Sequence, residues 1–130
     1  MHHRLAATSR NSELAAALLD VVSESELDEY VSALVGEAAR SAGRRIPVEA
    51  RRALVASLRR TAERTLPALS VALGDDGTPE ERVATQTAAR IFGVETEGMS
   101  PEDRDFEIAR RFVGFARAAT LRAAGAPARS

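Results

Sequence analysis

The sequence contains no cysteine and no tryptophan, and all 18 of its basic residues are arginine. Without cysteine there is no disulfide framework, no thiolate nucleophile and no cysteine-ligated metal. The two histidines, His2 and His3, stand together near the first residue, where two ring nitrogens do not make a preorganised metal cage. There is also no lysine, no nucleophile elbow and no phosphate-binding glycine loop. We therefore expect no catalytic residue, no metal and no cofactor, and we interpret the chain as not an enzyme.

Long apolar runs are missing as well. The longest useful uncharged run, Thr65 to Gly74, has about ten residues, against the roughly twenty that a membrane span needs. The opening residues, Met1-His2-His3-Arg4, lack the apolar core of a signal peptide. We expect a soluble, cytoplasmic protein with no signal peptide or transmembrane segment, although export by a specialised system stays open.

The residues that are abundant favour helices. Hydrophobic residues make up 45% of the 130, aromatics only 4%, and alanine is the commonest apolar residue. No β-branched alternation occurs, and glycine and proline stand singly at apparent boundaries. We predict an all-α fold, a compact bundle of five helices around a long C-terminal helix, or six if Leu69 to Leu73 adds a short one. Residues 1–11 are interpreted as a flexible leader, 12–124 as a single helical domain and 125–130 as a flexible tail.

The C-terminal helix is the expected hub of the bundle. Ser100 as N-cap and Pro101 at the first helical position predict its start, and it should run to Ala124. At about 100° per residue, its apolar side chains cover roughly half the circumference. In order around that arc they are Phe106, Val113, Thr120, Ala109, Ala116, Ala123, Phe112, Ala119, Ile108 and Phe115. An arc this wide predicts packing against two or more other helices.

Start and stop signals divide the rest of the chain. They predict helices from Ser12 to Val22, from a capping box of Ser23 and Glu26 to a C-cap at Gly43, from Pro47 to about Thr65, and from Pro79 to Phe92 with Gly93 as terminator. The connection between the first two helices is so short that we expect them to form an antiparallel or angled pair.

Charge is segregated although the net charge is only −1. Net charge is −5 over residues 1–39, +6 over 40–64, −6 over 65–103 and +4 over 104–130. Alternating blocks suit helices of opposite sign that lie side by side. The basic block holds an arginine face, which could meet phosphates or an acidic partner, or could be a solvated face paired with nearby acids. Its members are Arg44, Arg45, Arg51, Arg52, Arg59, Arg60 and Arg64.

Two other patterns have structural interpretations that we favour. Ala89 with Gly93 resembles the turn of a helix-turn-helix, but acids at Glu95 and Glu97 would repel phosphate from the groove-facing element. The carboxylates that open the last helix could bind a cation, but acids are usual in a first helical turn, and arginine partners follow them. Those carboxylates are Glu102, Asp103, Asp105 and Glu107, and the arginines at helical spacing from Glu107 are Arg110 and Arg111.

Two segments carry a resemblance. Residues 12–43, SELAAALLDVVSESELDEYVSALVGEAARSAG, and 92–120, FGVETEGMSPEDRDFEIARRFVGFARAAT, resemble a group of small bacterial proteins of uncharacterised function. That group ends in a block close to EGMSPEDREFEVARRFVRFA and has an acidic N-terminal segment, a Leu/Glu-rich helical pair and a glycine-rich apolar middle. The resemblance covers about half the chain and implies bacterial origin and kinship.

The middle of the chain departs from that group. The group's small-residue run could associate helices in a membrane, whereas this chain has the arginine-rich VEARRALVASLRRTAERTLPALSVALG. A desolvated guanidinium is costly in lipid, so we do not favour the membrane insertion that the resemblance suggests.

Three hypotheses about function follow. The first is a small, soluble, non-enzymatic helical interaction or assembly protein that contacts another protein or a second copy of itself. The second is a delivered or membrane-active bacterial effector. The third, which we favour least, is a nucleic-acid-binding module that uses the arginine face. For partner contact we expect Arg52, Arg59, Arg60 and Arg64, and also Phe112 and Phe115 if the last helix is not covered by its own chain.

Overall fold

A computed structural model describes the backbone of residues 2–67, 69 and 81–125, and the side chains of residues 10–67, 69 and 83–124. Within these ranges the chain forms five helices and no strand. They are α1 (His2–Leu19), α2 (Glu24–Ser41), α3 (Val48–Thr65), α4 (Glu81–Phe92) and α5 (Pro101–Gly125). The all-α prediction is confirmed. The expected start of α4 at Pro79, residues 70–73 of the expected short helix and residues 126–130 of the expected tail lie outside the described residues. Leu69, the first residue of that short helix, is helical, and Gly125, the first residue of the expected tail, is the last residue of α5.

Helix α5 contacts each of the other four helices, most extensively α1. Its core residues are fully buried: Ile108, Ala109, Phe112, Val113, Ala116 and Thr120. Phe106 and Phe115, at the two edges of the predicted arc, are half-buried against the same core. The structure therefore confirms α5 as the hub, and it shows that the hub is covered by its own chain.

The capping interactions predicted for α2 and α5 are present in the structure. Ser23 Oγ accepts from the Glu26 amide at 3.1 Å, and the Glu26 carboxylate accepts from the Val22 amide at 2.9 Å, which completes the cap of α2. Ser100 Oγ accepts from the Asp103 amide at 3.1 Å at the start of α5. Gly43 has a positive φ of 68° and ends α2, as a left-handed C-terminal residue should.

Helix α1 begins at His2, ten residues before the predicted start at Ser12, so the expected flexible leader over residues 1–11 is helical from residue 2. The segment has no proline or glycine to stop a helix, and its capping signal at Ser12 is not used. Arg10 helps to hold this part of the helix in place. It forms an ion pair of 2.7 Å with Glu37 of α2 and one of 3.2 Å with Glu13.

The contacts between α1 and α2, and those between α2 and α3, show that each of these two pairs is antiparallel. Tyr30 of α2 donates a hydrogen bond of 2.6 Å to the Leu14 carbonyl, while the later Glu37 reaches the earlier Arg10. Partial burial raises the pKa of the Tyr30 phenol, which therefore stays protonated as a donor. Between α2 and α3, Arg59 forms an ion pair with Asp28, and Arg51 donates a hydrogen bond to the Ser32 carbonyl. Of the two arrangements predicted for the first two helices, antiparallel or angled, these contacts show the antiparallel direction.

The burial of Phe112 in α5 predicts how much a substitution there lowers the free energy of unfolding. Phe112→Ala removes a side chain with no exposed surface and should lower the free energy of unfolding by about 3–5 kcal/mol, from lost burial and the cavity left behind. Leu121→Ala on the same helix, where the side chain is 44% exposed, is the control and should cost less than about 1 kcal/mol. Urea unfolding of both variants measures the difference, and equal losses would contradict the assignment of the hub.

Candidate interaction surfaces

The structure separates the four arginines expected to contact a partner. Arg52 and Arg59 lie on the flank of α3 that faces α2 and line a groove between the two helices. Arg60 and Arg64 are exposed elsewhere on α3 and do not line this groove. The seven-residue spacing of Arg52 and Arg59 places them on one side of the helix, one above the other. The predicted arginine face is therefore two surfaces.

The groove between α2 and α3 combines an apolar floor with charged walls. One half encloses about 330 Å³ and has Val48, Val55 and Ala56 on its floor. Val48 is 71% exposed, which is unusual for a large apolar side chain and leaves the floor open to solvent. The walls are polar and lined by Asp28, Ser32, Arg51, Arg52 and Arg59.

The groove has a second half on the far side of Arg51, toward the end of α2, and Arg51 is the one described residue that lines both halves. This second half encloses about 380 Å³ and is lined by Val35, Gly36, Ala39, Arg40, Arg44, Arg45, Ile46 and Arg51. The Arg51 guanidinium lies against α2 and donates a hydrogen bond of 3.1 Å to the Ser32 carbonyl. A Cβ at Gly36 would lie 3.0 Å from Arg51 Nη2, so the glycine leaves room for this close approach. We call the two halves together the arginine groove.

The arginines of this groove retain unused hydrogen-bonding capacity. Arg59 reaches Asp28 only at 3.4 Å, longer than the 2.7–2.9 Å typical of charge-assisted pairs, and its buried Nε has no hydrogen-bond partner among the described residues. In the same part of the chain, no hydrogen bond or ion pair engages the guanidinium of Arg40, Arg44, Arg45 or Arg52. Six arginines and one aspartate line the groove, which gives it a positive field.

The two phenylalanines expected at a partner surface differ in their exposure to solvent. Phe112 has no exposed surface, so it is unavailable to a partner, and the condition attached to that prediction is not met. Phe115 is half-buried and lies 5.5 Å from Phe92, ring centre to ring centre, at a tilted angle of 58°. It lines a shallow surface pocket with Asn11, Ile91, Phe92, Arg110, Arg111 and Gly114. The position of Phe115 at the edge of the α5 arc was the sequence signal for this difference.

Sequence reasoning did not identify the groove as a unit. Val48, Val55 and Ala56 read as ordinary members of an amphipathic helix, and Arg40 was not among the arginines of the predicted face. The one local signal was Gly36, a helical glycine that permits close approach of another chain segment. Its partner, Arg51, is fifteen positions away, and only the packing of α2 on α3 brings the two together.

The carboxylates that open α5 fall into two groups. Asp105 pairs with Arg104 at 2.8 Å, and Glu107 pairs with Arg110 at 2.8 Å and Arg111 at 2.9 Å, the partners expected from helical spacing. Glu102 and Asp103 are exposed. In the part of the chain that the structure describes, no group of three or more His, Cys, Asp or Glu residues is arranged to hold a metal ion.

The loop between α4 and α5 does not form a helix-turn-helix. Residues 93–100 contain no helix, and α5 begins only at Pro101, whereas that motif joins its helices by a turn of about three or four residues. Gly93 does end α4, with a positive φ of 70° and its amide bonded to the Ala89 carbonyl at 2.9 Å.

None of the described helices has both the length and the apolar character required to cross a bilayer. Comparison with protein-family models, with curated proteins and with solved structures finds no match to this chain.

The Glu107 cluster predicts a pH dependence of stability. Partial burial raises the pKa of Glu107, but hydrogen bonds from Arg111 and Arg110 outweigh it, so the pKa lies below its ordinary value of 4.5. A lowered pKa in the folded state means that the ionised group stabilises the fold above about pH 4.5 and that this contribution is lost as pH falls through the folded value. Glu107→Gln should therefore be less stable than the natural protein at pH 7, by a margin that shrinks below pH 4.5.

Thermal unfolding measured at several pH values tests this, with Glu102→Gln as a control that removes an exposed carboxylate from the same helix. A difference between Glu107→Gln and the natural protein that is the same at all pH values would contradict the assigned pKa direction.

Proposed function

We propose that this chain is a non-enzymatic helical interaction protein that binds an acidic, partly apolar segment of a protein in the arginine groove. The observation that carries the proposal is the combination, in one groove, of an open apolar floor and guanidinium groups with unused donors. Such a combination suits a ligand that buries apolar side chains while its carboxylates remain near the rim.

The shape of the groove supports a protein ligand. Two antiparallel helices with an apolar strip between them form the kind of surface on which an amphipathic helix or extended segment docks. The strip of Val48, Val55 and Ala56 would receive apolar anchors, and Ile46 extends it toward the second half. Burial of Val48, which is 71% exposed, supplies affinity that is independent of charge.

The charges of the groove support an acidic ligand. Arginine binds carboxylates through two parallel hydrogen bonds, and Arg52 and Arg45 have no intramolecular partner among the described residues to compete. Complementary charge also speeds encounter and rejects basic partners. Asp28 is the single acid on the walls, and its contact with Arg59 is long enough for an incoming carboxylate to share that guanidinium.

A nucleic acid fits the groove less well than a protein segment. No aromatic side chain lines either half of it, so there is no stacking platform for bases. Phosphates would bind the arginines but would leave Val48 exposed. Duplex DNA is therefore the natural competitor in a binding test.

A designed peptide tests the proposed function. The probe is a labelled twenty-residue amphipathic helix with leucine on one face and glutamate on the other, and fluorescence anisotropy measures its binding at low salt. We expect binding that weakens with salt and that falls by about tenfold or more for Arg45→Glu/Arg52→Glu, because each reversal places like charge against the probe. Both positions are exposed, so the fold should be retained.

The matched control is Arg60→Glu/Arg64→Glu, which makes the same change in net charge on exposed positions outside the groove. It should bind the probe within about twofold of the natural protein. No binding of the probe, equal losses in both double variants, or tighter binding of duplex DNA than of the peptide would each overturn the proposal.

A further inference from the structure

A second feature of the chain has the chemistry that the arginine groove requires. Residues 93–103 comprise the loop before α5 and the first three residues of that helix. This segment, which we call the acidic loop, contains four acids and no basic residue. The acids are Glu95, Glu97, Glu102 and Asp103, and all four are exposed. None of these carboxylates forms a hydrogen bond or ion pair with the described residues. The chain therefore carries an unneutralised acidic surface as well as an unneutralised basic one.

The acidic loop also offers an apolar side chain in a fixed position. Met99 is 40% exposed in the middle of the four acids. Its amide donates a hydrogen bond of 3.1 Å to the Thr96 carbonyl, and Gly98 supplies the positive φ of 85° that this turn needs. Val94 is buried at one end of the loop, and Ser100 caps α5 at the other. A loop held at both ends loses little conformational freedom on binding.

We propose that the arginine groove of one copy of this chain receives the acidic loop of a second copy. This inference rests on the proposed function and names its ligand. Met99 would pack on the floor formed by Val48, Val55 and Ala56, and the carboxylates on either side of it would face the arginines of both halves. Methionine suits such a floor because its flexible side chain adapts to an irregular apolar surface.

The bundle places the acidic loop and the most basic part of the groove at opposite ends. Asp105, next to the acidic loop, shares a small pocket with Leu18 and Leu66, at the end of the bundle where α1 and α3 finish. The most basic part of the groove, around Arg44 and Arg45, lies at the opposite end, where α3 begins. The eighteen residues of α3 put roughly 27 Å between these ends.

A contact between a groove and a loop joins two different surfaces. Such contacts build head-to-tail assemblies or, when two of them close on each other, a dimer. The loop is short, and four of its eleven residues are charged, so we expect a weak assembly that dissociates as salt screens the carboxylates and guanidinium groups.

Complementation between two variants tests the inference. Arg45→Glu/Arg52→Glu changes the groove and leaves the loop intact, while Glu95→Arg/Glu97→Arg changes the loop and leaves the groove intact. Light scattering at low salt should show the natural protein above its chain mass of 13.9 kDa and each variant as a monomer. An equimolar mixture should regain a two-chain species, because each variant keeps the surface that the other lacks.

Two further measurements guard against misfolding and general charge effects. Arg60→Glu/Arg64→Glu, with the same change in net charge as the groove variant, should assemble like the natural protein. A synthetic peptide of residues 93–103 should dissociate the natural assembly, and a peptide in which its four acids are replaced by glutamine should not.

The outcomes separate this inference from the proposed function. A natural protein that stays monomeric at low salt while binding the designed acidic peptide would overturn the second-copy inference and leave the proposed function standing. Assembly that survives in either charge-reversed variant, or a mixture that stays monomeric, would also overturn it. Failure of both the peptide and the assembly would overturn both.

Discussion

Burial of the apolar arc of α5 is the interaction on which the rest of the bundle depends. Each other helix contributes a narrow stripe of buried side chains, and such a stripe is not enough to hold an isolated helix. Helix α5 gives all four a common surface, with Phe112 and Ile108 as its largest fully buried side chains. Ala109 and Ala116 lie on the same arc, where small side chains allow neighbouring helices to approach closely.

The few polar groups inside this core are satisfied locally. Thr65, Thr87 and Thr120 are buried, and each hydroxyl donates to the carbonyl four residues earlier, at 2.7, 2.9 and 2.8 Å. These bonds need no partner from another helix, so the three threonines add no polar contact between helices. The charged groups are consequently left at the surface, and it is there that binding chemistry is available. The arginine groove and the acidic loop are both surface features supported by this core.

A structural feature could be predicted from the sequence when the residues that determine it lie within one helix. The caps of α2 and α5 and the role of Phe112 as core were predictable, because Ser23, Ser100 and the arc of α5 act within one helix. The start of α1 was not, since a continuous helical sequence outcompeted the cap signal at Ser12.

The arginine groove could be predicted only in part. Arg52 and Arg59 share a side of α3 by their spacing alone, so their proximity followed from the sequence. Which of the arginines faces α2, and the contact of Arg51 with Gly36, depend on which face of α3 turns toward α2. That choice is set by long-range packing, which helical periodicity does not encode.

The most direct test of the hub is amide hydrogen exchange followed along the whole chain. If α5 organises the bundle, amides from Ile108 to Thr120 should exchange only through global unfolding and be protected at least as strongly as any in α2 or α3, with α1 slower at its Leu18 end than at its start. Exchange of the α5 amides that is faster than that of α2 and α3 would contradict the account, because the other helices would then hold together without the helix assigned to join them.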